Sequence, residues 1–190
     1  MARWQSDPRG RLAKAAMELY ADRGFDATTV ADIAARAGLT ERTFFRHFAD
    51  KREVLFAGSA KLQEVMVAAV REAPPSVPAI AAVAAGVAAA ATFLTDQEFS
   101  RRRQRLIDSN PVLQERELIK GARLGAAFAA ALRARGVPEP TASVTAETGM
   151  AVFRVAFERW VNGTRGGSLA EMIQEGFSAL TTAVANRTPS

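Results

Sequence analysis

Between residues 28 and 51 the chain reads TTVADIAARAGLTERTFFRHFADK, and the capping signals inside that stretch leave it few folds to choose from. Thr29 followed three residues later by Asp32 has the spacing of a capping box, with Asp in place of the usual Glu, and opens a short helix through Ala37. Gly38 and Leu39 then make a tight turn, and Thr40 caps a further helix that includes Glu41 to Phe48. Upstream, Leu12, Ala15, Ala16, Leu19 and Tyr20 repeat at helical spacing until Gly24 ends the run. Phe25 is placed to pack back on that helix end, as a hydrophobic contact does in a Schellman stop. The pattern predicts helix, helix, three-residue turn, helix.

Side-chain direction gives the last of these helices two different faces. At about 100° per residue, Phe44 and Phe48 point the same way and meet Ile33, Ala34 and Leu39 in a small core. Arg42 and Arg46 point the opposite way, flanked by Thr43 and Phe45, with His47 at the margin. Such an outer face suits the major groove of DNA: arginine bonds guanine bidentately, Phe45 can touch a thymine methyl, and the polar groups can hold phosphates. An ordinary charged surface helix is the competing reading, and two capped helices joined by a glycine turn weigh against it.

The block AAMELYADRGFDATTVADIAARAGLTERTFFRHFADKREVLF resembles the N-terminal domain of the TetR family of transcriptional regulators, over residues 9 to 57. The resemblance implies an all-helical, dimeric DNA-binding regulator, most often a repressor, released by a small molecule in its C-terminal domain. It places DNA contacts on Thr29, Glu41, Arg42, Thr43, Phe45, Arg46, His47 and Lys51, with the capping Thr40 in the same set. Phe45 departs from the tyrosine of many members, so the hydroxyl contact to the backbone is missing while a methyl contact stays open. Glu41 either accepts from a cytosine amino group or repels phosphate. Lys51 follows Asp50, which can cap a helix beginning near 51, and is expected to hold a backbone phosphate without reading sequence.

The rest of the chain is read from breaks and composition. The net charge of +5 hints at an anionic partner, and residues 1 to 16 carry Arg3, Arg9, Arg11 and Lys14 against Asp7 alone, as a basic arm before the first helix. The N-terminus has no apolar h-region, so no secretory signal is expected. With no cysteine, disulfides and thiolate chemistry are excluded and a reducing cytoplasm is allowed. No charge occurs between Glu72 and Asp96, but prolines at 74, 75 and 78 shorten the stretch, and a closely packed alanine helix is expected rather than a membrane span. Helices are expected near 51 to 72, 78 to 94, 96 to 108, 111 to 135, 140 to 162 and 168 to 186. The resulting organisation is all-α: a flexible arm at 1–8, a helix-turn-helix head at 9–57, a helical ligand-binding and dimerisation domain at 58–186, and a tail at 187–190.

The last two helices carry the oligomer expectation. MAVFRVAFERWV is apolar around most of its circumference, and the final helix opens with Ser168 and Glu171 as a capping box. Trp160, Met172, Ile173, Gly176, Phe177, Leu180 and Val184 are the candidates for a four-helix homodimer interface, which would set two heads about one DNA turn apart. A self-contained helical core is the alternative. For a small-molecule pocket the candidates are Phe93, Phe99, Phe128, Met150, Phe153 and Phe157, with Arg123, Glu147 and Arg154 as polar groups, although aromatics at this spacing also serve as plain core. Arg154 can instead pair with Glu158, and the run SRRRQR at 100 to 105 reads as an acid-ligand sensor or as a solvated face. Catalysis fares poorly: the single histidine, His47, lies among the DNA-facing residues, and no metal-ligand spacing or phosphate-cradling glycine loop occurs. No cofactor, metal or membrane is expected. A ligand-independent architectural DNA binder stays open beside the ligand-released regulator.

Overall fold

Asp7 and Pro8 start the first helix: the Asp7 carboxylate accepts from the Gly10 amide at 2.6 Å and proline takes a first-turn position, where a missing N–H costs nothing. The computed structural model describes residues 7–163 and 167–185, and among them every regular element is helical. α1 runs Pro8–Arg23, α2 Val30–Arg36 and α3 Glu41–His47, followed by a 3-10 turn at Glu53–Phe56. Then come α4 at Ser59–Glu72, α5 at Ala79–Phe93, α6 at Gln97–Asp108, α7 at Pro111–Ala134, α8 at Thr141–Asn162 and α9 at Leu169–Ala185. The all-α expectation holds, while residues 1 to 6 of the expected arm and the tail at 187–190 lie outside the described residues.

Two expectations need correction. Arg9, Arg11 and Lys14 are not an arm ahead of the first helix; they sit inside α1, because the Asp7 cap starts the helix at Pro8. The single helix expected from 51 is broken into the 3-10 turn and α4, and the Asp50 carboxylate accepts from the Arg52 and Glu53 amides at 2.8 and 3.2 Å where the chain enters that turn. The chain divides into one unit of residues up to 60 together with 102–116, and another of 61–101 together with 117 onward.

The first unit is built around α1, α2 and α3. Leu12, Ala16, Ile33 and Phe44 have no exposed surface, and Ile107 and Leu113 complete the same core. Arg103 fastens this return segment by donating from Nε to the Leu55 carbonyl at 2.8 Å while its guanidinium lies 4.9 Å from the centre of the Phe56 ring. Arg116 pairs with Glu53.

The second unit packs α4, α5, α7, α8 and α9 around Met66, Val70, Val83, Val87, Phe128 and Leu132. The alanine-rich α5 can approach its neighbours closely because small residues line the crossings. A Cβ added at Gly149 would lie 2.1 Å from a Val83 methyl, and one at Gly86 would lie 2.5 Å from a Val70 methyl. This close packing accounts for the uncharged stretch before Asp96, and no single helix among the described residues is long and apolar enough to cross a membrane. The expected capping box of the last helix is present, with Ser168 and Glu171 exchanging hydrogen bonds at 2.7 and 3.2 Å.

Candidate nucleic-acid interface

The local signals around the short helices form as the sequence predicts. Thr29 accepts from the Asp32 amide at 3.1 Å while the Asp32 carboxylate accepts from the Thr29 amide at 3.0 Å, closing the capping box of α2. The Thr29 hydroxyl also donates to that carboxylate, holding Asp32 below the usual carboxylate range, with the backbone bond as the next cause. Gly38 turns the chain at φ +64, where a side chain would be strained and would meet Arg11 at 3.0 Å. Thr40 caps α3 by accepting from the Thr43 amide at 3.2 Å. Phe48, expected within that helix, is its extended C-cap. Gly24 ends α1 with φ 82 and ψ 163, a positive-φ conformation open to glycine but outside the left-handed helical geometry of a Schellman turn, yet Phe25 still packs on Tyr20 with ring centres 5.2 Å apart.

α3 has a fixed inner side and a free outer one. Phe44 is fully buried and Phe48 nearly so, their ring centres 5.6 Å apart. On the other side Glu41, Arg42, Phe45 and Arg46 are exposed, with Thr43 and His47 partly so. Among the described residues Arg42 and Arg46 make no hydrogen bond or ion pair. Arg9, Arg11, Arg36, Arg52 and Arg101, by contrast, are all engaged. Phe45 is 56% exposed, and its ring stands edge-on to Phe44 at 5.5 Å and 80°. A shallow concavity on this face is lined by Arg42, Thr43, Phe45 and Arg46. Two uncommitted guanidinium groups around an exposed ring are matched to an anionic, base-bearing groove and to little inside this unit.

Several cations near this face have structural work. Arg9 donates to the His47 carbonyl at the end of α3 and to the Ala57 carbonyl, both at 3.1 Å, with its guanidinium 4.6 Å from the Phe48 ring centre. Arg11 donates to the Ala37 and Gly38 carbonyls and so braces the turn. These two ties fix how α3 projects, and composition hid them by presenting both residues as arm charge. The signal that could have revealed them is the Asp7-Pro8 helix start, which puts both on a helix passing the turn.

Lys51 is the clearest departure from expectation. Its ammonium donates to the carbonyls of Phe25, Asp26 and Thr28 at 2.8, 3.2 and 2.9 Å, and sits 4.5 Å from the Phe25 ring centre. All three donors of the group are thus turned inward, closing the loop between α1 and α2 rather than standing ready for a phosphate. Tyr20 bonds the Lys51 carbonyl at 2.6 Å, and burial, reinforced by the Asp50 charge, pushes its phenol well above the ordinary value. Asp50 is held low, first by the Arg52 side chain bonded to it. His47 also departs from the simple picture: its Nε2 is shielded and has no partner among the described residues. Thr29 and Thr40 are exposed, but their hydroxyls already serve as helix caps.

In the second unit the pocket and interface candidates separate by burial. Phe128 is fully buried core, whereas Met150, Phe153 and Phe157 are half-buried against that core, with Phe153, Phe157 and Trp160 forming a ladder of rings about 6.0 and 5.9 Å apart. Phe93 is half-buried, and Phe99 is 39% exposed. Arg123, Glu147 and Arg154 lie on exposed surface, and the alternative pairing of Arg154 with Glu158 is not formed. Among the interface candidates, Trp160 and Ile173 are buried in the unit's own core, Met172 and Phe177 pack against it, and Gly176 meets Val152. Leu180 is half-buried, and Val184 is 62% exposed. Outside these candidates the unit exposes apolar side chains that include Val144 and Val155 of α8, with Ala151 exposed between them, and Leu118 and Ile119 of α7. The SRRRQR run is neither a plain solvated face nor a bare cation cluster, since Arg101 bonds the Val161 and Gly163 carbonyls and Arg103 bonds Leu55.

Comparison with known proteins adds two family matches and several relatives. Residues 12–57 match the model described as bacterial regulatory proteins, tetR family, and residues 77–185 match the MftR C-terminal domain. The HTH-type transcriptional regulator TcmR of Streptomyces glaucescens is 39% identical over 66 residues, 35% of this chain and 29% of that protein. The HTH-type transcriptional repressor KstR2 of Mycobacterium tuberculosis is 45% identical over 47 residues, 25% of this chain and 24% of that one. The matched stretch therefore spans less than a third of either relative. Among solved structures, Thermus thermophilus FadR, a repressor crystallised with lauroyl-CoA, superposes with a TM-score of 0.57 at 23% identity over 96% of this chain and 98% of that one, a likeness of fold.

Proposed function

Because the chain belongs to the TetR family of bacterial regulatory proteins, we propose that it is a cytoplasmic, one-component transcriptional regulator whose α3 reads operator DNA in the major groove. The observation that carries this is the pair of uncommitted guanidiniums, Arg42 and Arg46, standing around exposed Phe45 on a helix whose other side is locked into a core. Glu41, Thr43 and His47 border the same face. Thr29 and Thr40 contribute through the helix caps that aim the α2 and α3 amides, and Lys51 through the loop it closes. No catalytic role is assigned to any residue.

A homodimer follows from the need to cover the outer stripe of α8. Val144, Ala151 and Val155 recur at helical spacing on one exposed line, and exposed Val184 adds apolar surface on α9. Two copies joined there would present two heads to a palindromic operator. Ligand control is the further part of the proposal: a small molecule in the helical unit favours a dimer whose heads no longer match successive grooves, releasing the DNA. The half-buried Met150, Phe153 and Phe157 are the side chains we assign to such a site, and the lauroyl-CoA carried by FadR suggests an apolar acyl group as the ligand class to try first.

The test is selection of random-sequence duplex DNA by the full-length protein. Enrichment of a palindromic motif that outcompetes scrambled DNA supports the proposal, and Val155→Glu should then yield a monomer in sedimentation with weakened operator binding. Binding that falls steeply with salt and enriches no motif would reduce the activity to phosphate attraction and sink the regulator reading.

A further inference from the structure

The apolar ring at the centre of the reading face needs a partner of its own. Arginines explain affinity for guanine and phosphate, but they do not explain why a large hydrocarbon ring stands 56% exposed between them. The other phenylalanines of this short helix and its cap, Phe44 and Phe48, are buried. Phe45 carries no hydroxyl, so it has neither a donor for a phosphate nor an acceptor for a base amino group. What remains to it is van der Waals and hydrophobic contact, and in the major groove the one apolar protrusion on a base edge is the C5 methyl of thymine.

The ring is also held in place for that task. It rests edge-on against fully buried Phe44 at 5.5 Å, so its position is set by the core before DNA arrives. Arg42 and Arg46, three residues before and one residue after it, share with it and Thr43 the walls of one shallow concavity. Resting on the proposal that α3 reads DNA, we infer that Phe45 is a specificity-determining residue that recognises the C5 methyl of a thymine. In each operator half-site that thymine adjoins a guanine bonded by Arg42 or Arg46. The inference assigns the chemistry at one base position, a methyl group, where the arginines alone would leave it open.

The experiment uses the full-length protein and the motif enriched from random DNA. Each thymine of the half-site is replaced in turn by uracil, which removes only the methyl group and keeps the base pair's hydrogen-bonding edge. Binding is measured by fluorescence anisotropy for the wild type and for Phe45→Ala, whose fold is checked by circular dichroism. One thymine position should lose about fourfold in affinity per half-site, the worth of one buried methyl group, and Phe45→Ala should be indifferent to that same replacement. Phe45→Leu, which keeps hydrocarbon at the position, should retain part of the sensitivity. Wild-type binding that ignores every uracil replacement, a half-site with no thymine, or equal sensitivity in Phe45→Ala would each overturn the inference while leaving α3 as a DNA reader. Failure to enrich any motif would remove the DNA-reading proposal itself, and this inference with it.

Discussion

Replacing Lys51 with methionine separates two jobs that one lysine could hold. In the structure its ammonium donates to three carbonyls, those of Phe25, Asp26 and Thr28, at 2.8 to 3.2 Å and lies over the Phe25 ring. A hydrogen bond from a charged group contributes about 1.5 to 3 kcal/mol net, and three bonds from one partly exposed ammonium are not additive, so about 3 kcal/mol serves for the set. The ring contact adds about 0.5 to 1 kcal/mol, and ordering the long side chain costs about 1.5 to 2 kcal/mol. The balance is about 2 kcal/mol of stability lost on substitution, or a fall in Tm of about 10 °C for a unit of this size. Thermal unfolding followed by circular dichroism reads the first quantity, and operator titrations at several salt concentrations read the second. A structural lysine predicts a lowered melt with an unchanged salt slope at temperatures well below it. If instead the melt stays put and the slope of log affinity against log salt drops by about 0.9, Lys51 holds a phosphate and the assignment here is wrong.

The remaining predictions probe the core and the buried phenol. Phe44→Ala empties a fully buried position and should cost about 3 to 5 kcal/mol in chemical denaturation; an unmoved midpoint would contradict the inward orientation of α3. Gly149→Ala places a methyl 2.1 Å from Val83, so α5 and α8 must part, at a cost of about 1 to 3 kcal/mol that Gly136→Ala, in open space, should not share through packing. Tyr20 is the only tyrosine in the chain, so its ultraviolet phenolate band is an internal probe. Its folded pKa is raised, chiefly by burial, so the native state holds the proton more tightly and its stability falls as pH rises past about 10, the ordinary tyrosine value. The band should appear only together with unfolding; ionisation at that ordinary value with the fold intact would refute the buried placement.

How much of this was legible beforehand depends on the range of the interaction. Capping is local, and Thr29 with Asp32, Thr40 with Thr43, and Ser168 with Glu171 could each be read because both partners lie within three residues. The two faces of α3 were legible for the same reason, since period and burial follow from neighbours on one helix. Long-range partners were not. Arg9 reaches the end of α3, Arg103 reaches Leu55, and Ile107 and Leu113 join the head core, all across separations that no local pattern encodes. Hence local pattern alone leaves the head without its returning segment and leaves Lys51 looking available for a phosphate. The interface candidates meet a related limit: an apolar helix advertises burial without saying whether its own subunit or a second copy provides it. Trp160 and Ile173 turned out to be covered from within, leaving Val144 and Val155 outside.

If the outer face of α3 discriminates between DNA sequences, Arg42→Ala/Arg46→Ala should remove that discrimination. The measurement is the ratio of affinities for the enriched operator and for scrambled DNA of the same length, at fixed salt, for wild type and variant. Both side chains are exposed and free of hydrogen-bond and ion-pair partners among the described residues, so the variant should melt as the wild type does. Losing two base contacts at about 1 to 3 kcal/mol each should bring the ratio most of the way to one, with residual binding that is salt-dependent and indifferent to sequence. A double variant that keeps the wild-type ratio would show that the sequence is read elsewhere.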